Sequence, residues 1–523
     1  MVTQLRAVLA GLLLLLTLSS SAQTQTLTGF SNFRKSALSP IYEGNEVKGY
    51  TLFYKADKAD KKNDNYGIDL FDQDLNKVKT VLMPKPKNWS YLLGNTFNGT
   101  AFSFYFFNRS KMYLEIDSYD KSLKKIGSVQ ITDLSRAAKV IIDMESKSPG
   151  STENDPFSGL KIYPVANKGF IRTDYVGLMS GYVLEMYDNN MNLKWKSQTD
   201  NSAKDIEALL VNEITDKYLL ATIARKPNKL STNITFYIAA FDINTGKKVM
   251  DQPVESAKTD QLSLSSLSFD ETSQEFVTIG EFYKPDDKPF INKSQGLYIK
   301  RFNSKGQEVA FNKFGWTNEV RALLPASAKK GIDENFINYV QKVLKGSDGK
   351  FYVVTEQYKI VGKGGVALAA IGAGISVTKG VVGDMMVYEF DPTYKLNQVK
   401  HFPKDESKCM LPNTAALYGA GMLGHLMKSL GAFDYEFAQV SNDASELSVA
   451  YLNYDKEKNQ PTKKTAVNIL LGDESNYKVD KMDVSSSKSN YSVLYPAKPG
   501  YNLVVDHNFK EKVIGMKLVR LNK

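Results

Sequence analysis

The feature that most constrains this chain is a repeat of paired short strands. Runs in which β-branched and aromatic residues alternate with polar ones recur along the whole sequence. Such alternation is the pattern of a β-strand. The runs come in eight pairs: 49–55 with 67–72, 99–107 with 112–120, 169–175 with 182–188, 217–224 with 234–242, 275–283 with 297–303, 350–358 with 385–391, 446–454 with 466–471, and 500–506 with 513–521. Several pairs start about 50 residues apart, a period that predicts one small sheet per repeat. One small sheet cannot bury both of its faces, whereas sheets packed face to face around an axis can. The expectation is a mainly β chain, an antiparallel β-propeller-like array of about eight strand pairs with a small helical insertion region. Seven or eight blades in one ring, or two smaller rings, fit the spacing, and β-sandwiches are the competing architecture.

Some turns carry a more specific pattern. Ala240, Asp242, Thr245, Gly246 and Lys247 resemble the A-x-D-x-x-T-G-K hairpin of quinoprotein-type propeller repeats, with Val249 in the place of that repeat's Trp. Asp188 to Trp195 keeps the Trp and lacks the Gly. The resemblance implies the architecture and nothing about a quinone, so no cofactor is expected. The segments starting at Asp72, Asp188 and Asp242 are read as hairpin turns, because Asp and Asn bond their own backbone and tolerate left-handed dihedrals. A calcium loop fits less well: Lys77 stands where an EF-hand loop needs Gly, and Met83 where it needs Glu.

The chain begins like an exported protein. Arg6 precedes an apolar run at 7–18, and Ser19 to Ala22 supply small residues before a cleavage point placed after Ala22. About 12 apolar residues fall short of the ~20 that span a membrane. The reading is a signal peptide at 1–22 and a propeller-like domain at 23–523, located in the periplasm, at the outer membrane or outside the cell. The Lys-, Asn- and Tyr-rich remainder resembles exported proteins of Bacteroidota. Cys409 is the only cysteine, which excludes an internal disulfide, and His401, His425 and His507 lack metal-ligand spacing to it. The net charge of +10 is spread along the chain without a basic block or reading motif, so nucleic acid is not an expected partner.

Insertions interrupt the repeat. Phe336, Ile337, Val340, Val343 and Leu344 follow helical spacing after Asp333, predicting a helix over 332–345 that ends near Gly346. Two Gly/Ala-rich apolar insertions follow, at 361–383 and 410–432. As helices they align Leu368, Gly372, Ser376 and Gly380 in one row, and Ala416, Ala420 and Gly424 in another. Small residues at that spacing let helix backbones approach closely. They predict a helical hairpin folded on the protein, and the seven residues are the candidate partner contact. Peripheral membrane contact is the third use of such a segment.

Catalytic motifs do not emerge. The histidines have no G-x-S-x-G companion, and no phosphate loop is present. Asp69, Asp174 and Glu281 lie in or beside predicted strands and are the carboxylates a hub could gather, without any of them being assigned a catalytic role. The functional expectation is an exported binding or scaffold protein of the bacterial cell envelope with an unidentified protein or glycan partner. The alternatives are a carbohydrate-active hydrolase with its site at the hub and a membrane-contacting envelope protein.

Overall fold

The computed structural model describes residues 23–522 apart from 31–32, 34–36, 88, 148–159, 178–179, 201–204, 229–230, 232–233, 255–259, 290, 327, 330–335, 362–377, 413–414, 416–417, 456–462, 472–476 and 485–490. Eight antiparallel sheets form an eight-bladed propeller. Blades 1 to 7 occupy 38–86, 89–131, 162–198, 206–253, 261–315, 337–402 and 435–483. Each has four strands in sequence order, and blade 6 gains a fifth, Ser407–Met410, paired with Lys379 to Val382. Blade 8 combines Tyr491–Pro496, Tyr501–Asn508 and Val513–Arg520 with Thr24–Thr28 from the other end of the chain.

Each predicted pair is the second and third strand of one blade. These strands lie mid-sheet, with a neighbouring blade against each face. Ala101–Asn108 is buried at all positions. Its Phe102, Phe104 and Phe106 pack toward blade 1, and its Tyr105 and Phe107 toward blade 3. Likewise Val353 enters the core shared with blade 5, and Val354 the core shared with blade 7. Eight such cores separate consecutive blades and close the ring, from blades 1 and 2 round to blades 8 and 1.

The polar turns join third and fourth strands. Asp72 Oδ1 accepts from the backbone N–H of Asp74 and Asn76 at 2.8 and 2.9 Å, and Asp188 Oδ1 does the same for Asn190 and Asn192. The carboxylates therefore serve the backbone of the turn. Leu75 and Met191 take the left-handed position at φ 62° and 64° and are buried between blades. Gly246 holds a related position at φ +69°, where a Cβ would come within 2.4 Å of the Trp195 ring. Trp195 Nε1 donates to Ile243 O at 2.9 Å, so the Trp of one blade is seated on the Gly-containing turn of the next.

Two insertion assignments need correction. The helix expected over 332–345 is the innermost strand of blade 6, Ile337–Lys345; Asp333 lies outside the described residues. A β-bulge between Val340 and Lys342 inserts one residue, so Val340 and Val343 face the same core three positions apart. That spacing imitates a helix. The expected insertion 361–383 is strand at its C-terminal end, because Gly380 belongs to Lys379–Phe390 and pairs with Ile360 and Cys409. Leu368, Gly372 and Ser376 lie outside the described residues. Within 410–432 a helix does form, Ala420–Ser429. A further helix, Arg136–Lys147, starts after Ser135, whose Oγ accepts from Ala138 N–H at 2.9 Å.

The ring is fastened by its first strand. Thr24–Thr28 pairs with Val513 to Lys517, and Leu27 enters the core between blades 8 and 1. Phe30 N–H donates to Lys512 O at 2.9 Å, and Leu518 N–H to Gln23 O at 3.0 Å. Removing 24–28 exposes a sheet edge and one core leucine, a loss of more than about 2 kcal/mol. Denaturant melts and size-exclusion chromatography should show a less stable, self-associating chain. A monomer with parental stability contradicts the fastening.

Candidate functional site

The innermost strands of successive blades stand side by side around the axis, from Leu38–Glu43 to Tyr491–Pro496. In six blades this strand carries a bulge against the second strand. Bulges re-aim side chains. Two of them, at Leu264/Ser266 and Val340/Lys342, flank a cavity of about 330 Å³. Lys161 at the start of blade 3, Leu210 of blade 4, Ser263 and Ser265 of blade 5, and Asn338 and Gln341 of blade 6 contribute to its wall. The helix Ala420–Ser429 adds Gly421, His425 and Lys428. The volume is that of a small-molecule site.

Among the described residues Glu281 is the only carboxylate of this wall. It lies on the second strand of blade 5, Glu275–Tyr283, next to Gly280. A Cβ on Gly280 would come within 1.9 Å of Ser263 O, so the glycine lets the bulged inner strand lie close. Ser294 Oγ donates to Glu281 Oε1 at 2.6 Å and accepts from Trp316 Nε1 at 3.0 Å. Tyr283 Oη donates to Oε2 at 3.4 Å. Withdrawal from water pushes the Glu281 carboxyl up to about 7, against the pull of these two donors. The other two carboxylates singled out from the sequence are paired. Asp69 meets Lys77 at 2.8 Å, and Asp174 is held by the buried Arg172, which also binds Glu185.

The helix forms its side of the cavity by lying on blade 6. Leu423 and Met427 enter a satellite core with Tyr358, Val382 and Phe433. Gly424 is buried, and a Cβ there would sit 2.6 Å from Tyr358 Oη and 3.0 Å from the Tyr339 ring. Gly380 is its counterpart on the sheet, since a Cβ would meet Cys409 Sγ and Met427 Cε at 2.8 Å. These two glycines therefore serve close contact between the helix and its own blade. Ala420 opens the helix, and Ala416 lies outside the described residues. His425 is exposed on the helix, its Nδ1 lies 3.3 Å from Tyr339 Oη, and crowding by neighbouring atoms lowers the imidazole pKa.

A buried ionic clamp holds the base of this insertion. Lys404, with a fully buried side chain, contacts Asp434 and lies 3.5 Å from Glu356. Lys404 precedes the insertion and Asp434 follows it. Glu356 Oε1 and Oε2 accept from the backbone N–H of Asp434 and Tyr435, each at 3.1 Å. Burial raises Glu356 to about 7, Lys404 pulling it down and Asp434 pushing it up. The bulge residue Gln341 links clamp to helix: it accepts from Lys428 at 2.8 Å and donates to Glu356 at 3.2 Å.

Comparison with known proteins adds the following. The chain is similar in structure to prolyl oligopeptidase B from Galerina marginata, with 8% identity, 89% of this chain and 56% of that chain covered, and a TM-score of 0.37. It is similar to TolB from Acinetobacter baumannii, with 10% identity, 82% and 80% covered, and a TM-score of 0.26. It is also similar to an alpha-L-arabinofuranosidase from Fusarium graminearum, with 12% identity, 79% and 90% covered, and a TM-score of 0.28. The chain spans about half the length of the prolyl peptidases it matches. No curated protein matches the sequence. A family model described as a family of unknown function, DUF6770, matches residues 4–522.

Two expectations follow from these charges. The folded-state pKa of Glu281 lies above its unfolded value of 4.5. The stability it allows is fully present below that value and is lost as pH rises toward 7. Glu281→Gln removes the loss, so the variant should match the parent near pH 4 and exceed it near pH 8 by up to about 3 kcal/mol in denaturant melts. Equal stabilities at both values contradict the assignment. Lys404→Met leaves two buried acids without their cation and should cost about 3–5 kcal/mol by the same melts. A loss below about 1 kcal/mol shows that the clamp is not structural.

Proposed function

The chain belongs to the DUF6770 family of unknown function, and we propose that it is an exported binding protein of the cell envelope whose ligand site is the hub cavity. The observation that carries this reading is the convergence of four blades and the insertion helix on one cavity with hydrogen-bonding walls. A ring of blades is a stiff frame, and a stiff frame lowers the entropy lost when a ligand is ordered. The insertion then has a use beyond packing, because its helix completes the wall. The N-terminal leader read from the sequence supports export.

Binding is favoured over hydrolysis by the wall itself. Glycoside hydrolysis uses two carboxyl groups about 5–10 Å apart, and among the described residues Glu281 is the one acid lining the cavity. His425 is engaged with Tyr339. A second reading rests on Met410, Tyr418, Met422 and Leu430, which are exposed on the insertion. Exposed apolar residues gathered on one insertion suit docking of a protein or glycan partner. Among the described residues no helix is long and apolar enough to cross a membrane.

Ser265 is exposed at the bulge on the cavity wall, so Ser265→Trp fills the mouth without disturbing a core. Thermal melts of the mature protein with a panel of small sugars, polyols and amines should find ligands that stabilise it. At about 100 times Kd the gain is about 2.7 kcal/mol. The Trp variant should melt normally and lose the response. A response undiminished by Ser265→Trp places the ligand elsewhere.

A further inference from the structure

Two acceptors, Glu281 and Asn338, stand on the wall of the hub cavity, which also carries the lysines Lys161 and Lys428. Glu281 accepts from Ser294 and Tyr283 and meets no cation among the described residues. Both neighbours are arranged to give protons to it, and Ser294 is turned that way by Trp316, which donates to the same hydroxyl. Asn338 is 6% exposed, and its side-chain Oδ1 is buried without a donor on the same wall. A buried acceptor left unpaired is costly. The rings of Tyr283, Tyr339 and Tyr358 line the space around these acceptors. Lys428 of the wall is engaged with Gln341 and lies over the Tyr435 ring.

A carboxyl with no cation among the described residues, an unpaired amide oxygen and aromatic walls all ask for a ligand that carries both N–H donors and positive charge. We infer that the hub cavity takes the ammonium head of a small primary amine, with the Glu281 carboxylate as its counter-ion and Asn338 Oδ1 as a second acceptor. The ammonium supplies three donors and no acceptor, and tyrosine faces attract a cation. A neutral sugar would satisfy the hydrogen bonds and leave the charge unpaired. This inference rests on the hub-binding reading and narrows it to a ligand class.

The test is calorimetric titration of the mature protein with 2-phenylethylamine and with its neutral counterpart 2-phenylethanol. Both are also titrated into Glu281→Gln and Ser265→Trp. The amine should bind at least about tenfold more tightly than the alcohol near pH 8, and Glu281→Gln should remove that preference. Unmodified protein provides a check that needs no variant. The titratable groups facing Glu281 are Tyr283 on its own strand, Tyr339, Tyr358 and Tyr388 of blade 6, His425 and Lys428 of the helix, and Lys161 of blade 3. The tyrosines are raised by burial, and the His425 pKa is lowered by the atoms crowding it. Binding of the amine should therefore weaken about tenfold from pH 8 to 6 as Glu281 takes up its proton. Equal affinity for amine and alcohol, or an amine preference that survives Glu281→Gln, overturns the inference. If sugars or the alcohol bind and Ser265→Trp abolishes them while amines show no preference, the hub site stands and the ammonium assignment falls. If sugars, alcohol and amine all fail to bind, both readings fall.

Discussion

A blade of this protein presents apolar side chains on both faces, so no blade is stable without a neighbour on each side. The second and third strands illustrate the constraint: alternate residues of Ala101–Asn108 feed two different cores. Eight blades satisfy it only as a closed ring. The first and last cores of an open array would face water, and burying a single phenylalanine is worth about 1.5–3 kcal/mol. Closure therefore falls to the chain ends, and Thr24–Thr28 completes the sheet that ends at Val513–Arg520. The strand opens at Thr24, next to the first described residue, Gln23, so this end of the described chain is itself a part of the fold.

Closing the ring also creates the hub. The innermost strands cannot be apolar on all sides, because they line the axis, and their bulges set residues such as Ser265 and Gln341 at the cavity wall. Elsewhere the protein compensates its buried acids. Asp117 has Lys85 at 2.7 Å and Lys125 at 2.6 Å, Asp174 has Arg172, and Glu356 shares Lys404 with Asp434. Glu281, half-buried at the cavity, meets no cation among the described residues. Withdrawing a carboxylate from water without a cation is costly, and perturbed groups of this kind concentrate at functional sites.

The sequence displays the parts of this structure that are buried on two sides. Middle strands such as 99–107 read as strong aromatic and β-branched runs because both faces are core. Innermost strands alternate poorly, since one edge meets the polar hub and bulges break the period. Residues 337–345 show the consequence: the bulge puts Val340 and Val343 on one face at a helix-like interval, and the strand was legible only as a helix. Gly380 and Gly424 were legible as small residues that allow close approach. What approaches them is Met427 of the insertion helix at Gly380 and Tyr358 of blade 6 at Gly424, which no spacing rule reveals. Glu281 was visible as a strand carboxylate, and Gly280 beside it marked a close backbone approach. Its lack of a cation is a property of the assembled hub, created by residues hundreds of positions apart.

The hub holds a half-buried carboxyl, Glu281, that meets no cation among the described residues. The most direct measurement is a carbon-13 NMR titration of the Glu281 side-chain carboxyl in the mature, ligand-free protein, assigned by comparison with Glu281→Gln. The account predicts a midpoint of about 7. A midpoint near 4.5, the ordinary value for glutamate, would mean that water or a cation already compensates the charge and would contradict it.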